Sequence, residues 1–235
     1  MHTVYILYST FPESLSSEIY NEYVQFLSEE LKEKNKLYKR WEDQHSNLFG
    51  KLLLQLGYNK LGYKAYILNK IKYGDNLKPY LEEDIKFNIS HSGEYVLCCL
   101  SETVRLGIDI EEIKDIGFKD FKQVMNEEQW KNISDAPNPL KQFFTYWVIK
   151  ESVVKADGRG FSLSLPEIHI FDEKAICKEK IWYLKEIHLA ENYKTYVATN
   201  VEKVNIELIN IDFYNDTDKR NILEKLENSL DYLKQ

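Results

Sequence analysis

The sequence predicts an α+β fold, and three features predict it. Apolar residues recur at helical spacing through long stretches, short β-rich runs cluster between and after them, and the order is irregular rather than a repeating strand–helix alternation. With 235 residues, 43% hydrophobic and 29% charged, the chain can bury a sizeable core and has the composition of a globular protein. A formal net charge of −7 supplies no basic field to collect nucleic acid or an anionic membrane. Any anionic ligand must then be held by local cations or by a metal.

VYILYS, near the start, is the first strand. From about Leu15 to Leu56 the pattern turns helical and charged, and Ser28, followed by Glu29 and Glu30, marks a helix start. KYGDNLKPYLEEDIK carries Gly74 and Pro79 and is a loop or hairpin. FNIS, EYVLCCLS and RLGIDIEEI are β-rich runs separated by short turns, the pattern of an antiparallel meander. Residues 117–133 are helical, DAPNP breaks the chain, and the strong helix KQFFTYWVIKESVVKADGRG ends at Gly158 and Gly160. EIHIFD, KIWYLKEIHL, KTYVATN and NIELINIDF are further strands. A closing amphipathic helix aligns Ile222, Leu223, Leu226, Leu230 and Leu233.

The first residues show no basic segment leading into a long apolar one, and no run reaches the length of a membrane span. The three cysteines, Cys98 and Cys99 adjacent, follow no disulfide framework, so reduced thiols in a cytoplasmic protein are expected.

Three constellations carry possible chemistry. In the strand GIDIE, Asp109 and Glu111 share one face while Ile108 and Ile110 take the other. Two close carboxylates repel, and a divalent cation with a taste for oxygen ligands, magnesium or manganese, would relieve them. An edge strand with its charged face in water explains the five residues more simply. In WVIKESVVKADGRG, Trp147, Glu151 and Lys155 fall on one helical face with Lys150 beside them. An exposed Glu–Lys pair is the plain explanation, but the many apolar neighbours argue for a buried helix whose charges need partners. NISHSG, residues 88–93, sets His91 between two serines, a fit for a phosphate or for a simple polar turn. A serine hydrolase is disfavoured because no G-x-S-x-G elbow is present.

Taken together and in order, NISHSG, GIDIE and WVIKESVVKADGRG resemble the 4′-phosphopantetheinyl transferases of the Sfp type, over roughly residues 1–200. The resemblance implies two similar α/β halves, residues 1–112 and 113–235, with the active site in the cleft between them. It implies an enzyme that moves phosphopantetheine from coenzyme A to a serine of an apo acyl or peptidyl carrier protein, releasing adenosine 3′,5′-bisphosphate. Asp109, Glu111 and Glu151 would bind Mg2+, or Mn2+, with Glu151 also the base, directly or through water. Lys155 and His91 would meet the phosphates, Ser90 would lie near the 3′-phosphate, and Lys150 would be a phosphate or structural partner. Lys78 and Pro79 match the family's pair at the nucleotide, and Lys34 a basic position near the 3′-phosphate.

Two departures stand out. Ser46, three residues after Asp43, and Leu31 occupy positions that are often basic in the family, leaving His45 and Lys51 as possible substitutes. Carrier docking is expected on Phe118, Phe121, Val124 and Met125 with Lys119 and Lys122, unless those apolar residues pack inward. The expected state is a monomer with neither nucleic acid nor membrane as partner. A magnesium-dependent phosphodiesterase or nuclease, and a non-catalytic carrier-binding module, are the competing readings.

Overall fold

The computed structural model describes residues 2–74, 76 and 78–232. A four-stranded sheet has the order β11-β1-β5-β4, built from Val204–Asn210, His2–Thr10, Tyr95–Ser101 and Lys86–Ser92. A five-stranded antiparallel sheet has the order β6-β10-β9-β8-β7, from Leu106–Glu112, Tyr193–Thr199, Lys180–Glu186, Lys174–Cys177 and His169–Phe171. Lys72–Tyr73 (β2) and Pro79–Tyr80 (β3) form a small hairpin. The fold is α+β, as expected.

Helices α1 (Ser17–Val24), α2 (Glu29–Lys36) and α3 (Trp41–Lys60) cover the first sheet, and Ser28 caps α2 by accepting from the Leu31 amide. Leu48, Phe49 and Leu52 of α3 join Val96, Cys98 and Leu100 of β5 in one core. Helix α6 (Asp216–Asp231) adds Ile222 and Leu226 to that core; Leu233 lies outside the described residues. Helix α5 (Pro139–Asp157) starts with Asn138 as its cap and Pro139 in its first turn, and it crosses the second sheet. It stops at Gly158, whose φ of 84° is left-handed. A separate core of Val4, Ile6, Leu97 and Cys99 against Ile108, Ile110 and Val197 joins the two sheets.

Two expectations change. The boundary does not fall after residue 112. Strand β6 pairs with β10 in the second sheet, while β11 runs parallel to β1 and returns the chain's end to the first. Nor do β4, β5 and β6 form a meander: β5 pairs with β1 and β4, and β6 lies beside β4 without a backbone ladder. Residues 117–133 also divide, into a 3-10 segment Phe118–Val124 and α4 (Glu127–Ser134).

Gly107 sets how closely α5 sits on β6. A Cβ there would lie 2.3 Å from both the Ala156 amide nitrogen and the Ser152 carbonyl oxygen. Both obstacles are backbone, so the helix itself would have to move. Gly107→Ala is expected to cost on the order of 1–3 kcal/mol in denaturant unfolding. Activity should fall beyond what the unfolded fraction explains, because α5 carries Glu151 and Lys155.

Candidate active site

The site forms where β4 and β6 meet. Alternation on β4 turns Asn88, Ser90 and Ser92 toward β6. Asn88 Oδ1 accepts from the Ile108 amide at 2.9 Å, Ser90 Oγ from Ile110 at 3.3 Å, and Ser92 Oγ from Glu112 at 3.1 Å. Side chains thus replace the missing ladder and satisfy amides that would otherwise be left along a buried edge. The hydroxyls also face the carboxylates. Ser90 Oγ donates to Asp109 Oδ1 at 2.9 Å, and Ser92 Oγ donates to Glu111 Oε2 at 2.8 Å.

Gly107, Asp109 and Glu111 share the face of β6 that α5 covers. Lys155 Nζ reaches Asp109 Oδ1 at 2.6 Å and Ser90 Oγ at 2.9 Å. Asp109 is 3% exposed, and its second oxygen, Oδ2, is buried with no partner among the described residues. Burial, then the charge of Asp109, raises the pKa of both Glu111 and Glu151 above the usual carboxylate range. For Glu111, hydrogen bonds from Ser92 and Trp147 partly offset this; for Glu151, Lys155 does.

These features suit a divalent cation. Asp109 Oδ2 is a buried oxygen with no partner among the described residues, and two neighbouring carboxylates resist ionisation because of burial and then the charge of Asp109. As the side chains stand, with Lys155 on Asp109, no three acidic, imidazole or thiolate groups among the described residues already converge at metal-binding spacing.

The other expected residues divide into groups. His91 points to the opposite side of β4 from Ser90. It borders a depression of about 370 Å³ shared with Trp41, Asp43 and Ser46. Its ring is accessible, yet the protein around it, and then Lys155, lowers its pKa. Pro79 and Lys78 line a cavity of about 280 Å³ with Phe87, Arg105 and Asp157, and the Lys78 ammonium donates to the Lys155 carbonyl. Lys34 pairs with Glu30 at 2.7 Å and lies 4.5 Å over the ring of Tyr73, which pairs with Pro79 in the small hairpin.

Three expectations need correction, and a fourth, for Lys150, settles on one of its two alternatives. Ser90 is buried and committed to Asp109, Lys155 and the Ile110 amide, so it orients the cluster rather than facing a nucleotide phosphate. Lys150 is wholly buried and donates to the carbonyls of Leu165, at 2.5 Å, and Ile168, at 3.3 Å; burial pushes its pKa down to about 7. It pins the turn after α5, the structural one of the two roles expected for it. His45 is no substitute cation. Its Nε2 accepts from the Leu15 amide at 3.1 Å, which makes Nδ1 the donor to the Trp41 carbonyl at 2.8 Å and the ring neutral. Phe118 and Phe121 pack on Phe143, and Met125 is buried, so the apolar groove is not formed; Lys119 and Lys122 remain exposed. The residues missed from sequence are Asn88, Ser92 and Gly107. The polar alternation Asn88-x-Ser90-x-Ser92 was the available signal for the first two.

The chain is a two-sheet α+β protein with a carboxylate and lysine cluster at the seam, and comparison with known proteins gives its family. Residues 14–103 match the model of the 4′-phosphopantetheinyl transferase N-terminal region, and residues 105–201 match that of the 4′-phosphopantetheinyl transferase superfamily. The break between them falls just before β6, as it does in the fold. The chain is 32% identical over 169 residues to the 4′-phosphopantetheinyl transferase gsp of Aneurinibacillus migulanus, covering 68% of each protein. It is 31% identical over 176 residues to the 4′-phosphopantetheinyl transferase Sfp of Bacillus subtilis, covering 71% of this chain and 75% of that protein. A mouse L-aminoadipate-semialdehyde dehydrogenase-phosphopantetheinyl transferase is 27% identical over 155 residues, covering 55% of this chain and 49% of that protein. The chain belongs to the 4′-phosphopantetheinyl transferase family, and its activity is the transfer of phosphopantetheine to a carrier protein.

Glu151 is expected to trade stability for function. A carboxyl whose folded pKa lies above its unfolded value stabilises fully at low pH, and that contribution is lost as pH rises through the folded value. At neutral pH, Glu151→Gln should therefore raise the unfolding free energy of the metal-free protein by on the order of 1 kcal/mol, and its melting midpoint with it. The gain should shrink as the pH falls into the range where Glu151 is protonated. Thermal melts of both proteins across that range check it.

Proposed function

We propose that Asp109, Glu111 and Glu151 bind a magnesium ion beside the pyrophosphate of coenzyme A, and that Lys155 and His91 bind the phosphates. The observation that supports this most is the orphaned, buried Oδ2 of Asp109 within a group of three carboxylates. A bound divalent ion would offset the charge of the pyrophosphate and of the departing nucleotide. Lys155 holds Asp109 when no ion is present, and its ammonium is free to turn to a phosphate once an ion takes the carboxylate. The carrier serine oxygen attacks the β-phosphorus, the bond to the adenosine 3′,5′-bisphosphate oxygen breaks, and the serine proton passes to Glu151. A carboxylate whose basicity is raised by burial and by Asp109 suits that acceptance.

The carrier docks, on this reading, along the exposed basic edge of Lys119 and Lys122 rather than in an apolar groove. For an acidic carrier, this chain's own net charge of −7 favours docking on a local basic edge. The protein acts as a monomer, and three buried free thiols, Cys98, Cys99 and Cys177, support a reducing compartment.

Intact mass of an apo carrier protein, after incubation with the enzyme, coenzyme A and magnesium, tests the metal reading. One added phosphopantetheine is expected, lost with excess chelator and in Asp109→Ala. Full transfer in the presence of chelator would overturn the metal assignment. Charge reversal at Lys119 and Lys122 should raise the KM for an acidic carrier about tenfold while leaving coenzyme A binding alone; an unchanged KM would remove the docking edge.

A further inference from the structure

The turn between β4 and β5 is held from the second sheet by a single phenol. Tyr193 lies on β10 opposite Glu112 of β6, in the core that joins the two sheets, and only 7% of it is exposed. Its Oη accepts from the Glu94 amide at 3.3 Å, and its ring stands edge-on to Tyr95 with centroids 4.6 Å apart. Gly93 makes room for it. The backbone takes a φ of 55° there, and a Cβ would lie 2.2 Å from Tyr193 Oη. On the other side of the turn, the Glu94 carbonyl accepts from the Phe11 amide at 2.9 Å. This contact reverses the three at the seam, where side chains of β4 accept from amides of β6.

The neighbours of the turn decide what this clamp controls. Ser92, just before Gly93, is fixed on its own account, because its Oγ bonds both the Glu112 amide and Glu111. His91 is different. Its side chain makes no hydrogen bond or ion pair among the described residues, and it borders the same depression as Gly93 and Glu94. Its ring is therefore aimed by its backbone, which is the end of β4 running into the turn that Tyr193 holds. A binding group placed in this way is only as well positioned as the segment that carries it.

We propose that Tyr193 is a positioning residue for coenzyme A binding: by clamping Gly93 and Glu94 across the seam, it fixes the backbone of His91 and so the imidazole that meets a phosphate. The role rests on the phosphate assignment of His91 above. Tyr193 touches no substrate itself. It makes a binding group of the first sheet depend on a residue of the second, so the phosphate contact is complete only when the two sheets are docked. Removing the hydroxyl leaves the Glu94 amide without its acceptor and opens space over Gly93, while the ring still fills the core.

The test is a double-mutant cycle on coenzyme A affinity, read by calorimetry with magnesium present, for the wild type, Tyr193→Phe, His91→Gln and the pair together. Thermal melts show that each variant is folded. His91→Gln should weaken coenzyme A about tenfold and Tyr193→Phe about three- to tenfold, with the double variant no weaker than His91→Gln alone. Equal weakening by Tyr193→Phe in both backgrounds, or a lower melting point with unchanged affinity, would overturn the positioning role and leave the coenzyme A reading intact. Unchanged affinity in His91→Gln would overturn the phosphate assignment of His91 and the role of Tyr193 with it. If Tyr193→Phe does not fold, amide exchange at Glu94 in the wild type decides: exchange as slow as in the paired strands upholds the clamp, and fast exchange refutes it.

Discussion

The contact between β4 and β6 is the constraint on which the site depends. Two sheets meet there edge to edge, and the amides of Ile108, Ile110 and Glu112 have no strand partner. Leaving them unpaired would cost about 1–3 kcal/mol each. Asn88, Ser90 and Ser92 supply the acceptors, and the two serines use their remaining hydrogen to fix Asp109 and Glu111. One set of side chains therefore closes the fold and aims the carboxylates. Gly107 completes the arrangement by admitting the backbone of α5, so that a lysine and a glutamate from the second half arrive over the strand.

The cluster works against stability. Burial and the charge of Asp109 raise the proton affinity of Glu111 and Glu151, and Lys155 neutralises only Asp109 directly. Such an arrangement persists because the seam and the α5 contact are strong enough to over-determine it. Electrostatic strain of this kind is relieved by a ligand, which is why an orphaned oxygen and raised proton affinities are informative about what binds.

Much of this was legible in the sequence. The helix start at Ser28, the DAPNP break and the stop at Gly158 placed α2 and α5, though α5 begins at Pro139 inside that break, and the D-x-E alternation put Asp109 and Glu111 on one face. Long-range partnership was not legible. Strand β11 carries an ordinary alternating pattern that says nothing of its parallel pairing with β1, and β6 reads the same whether its neighbour is β5 or β10. Nor were polar partners that lie remote in sequence legible. The family resemblance put Ser90 near a phosphate, but it is satisfied across the seam, and the choice between the two roles of Lys150 waited on the carbonyls fifteen and eighteen residues on. The inward turn of Phe118 and Phe121 depended on Phe143 and Trp147, which only the folded α5 brings near.

The most direct test of the seam is amide hydrogen exchange, resolved by residue, at Ile108, Ile110 and Glu112 in the wild type and in Ser90→Ala. Exchange as slow as in paired strands for all three, with selective acceleration at Ile110 in the variant, is the result this account predicts. Exchange at Ile110 that is fast in the wild type, or unaltered when the serine hydroxyl is removed, would contradict it.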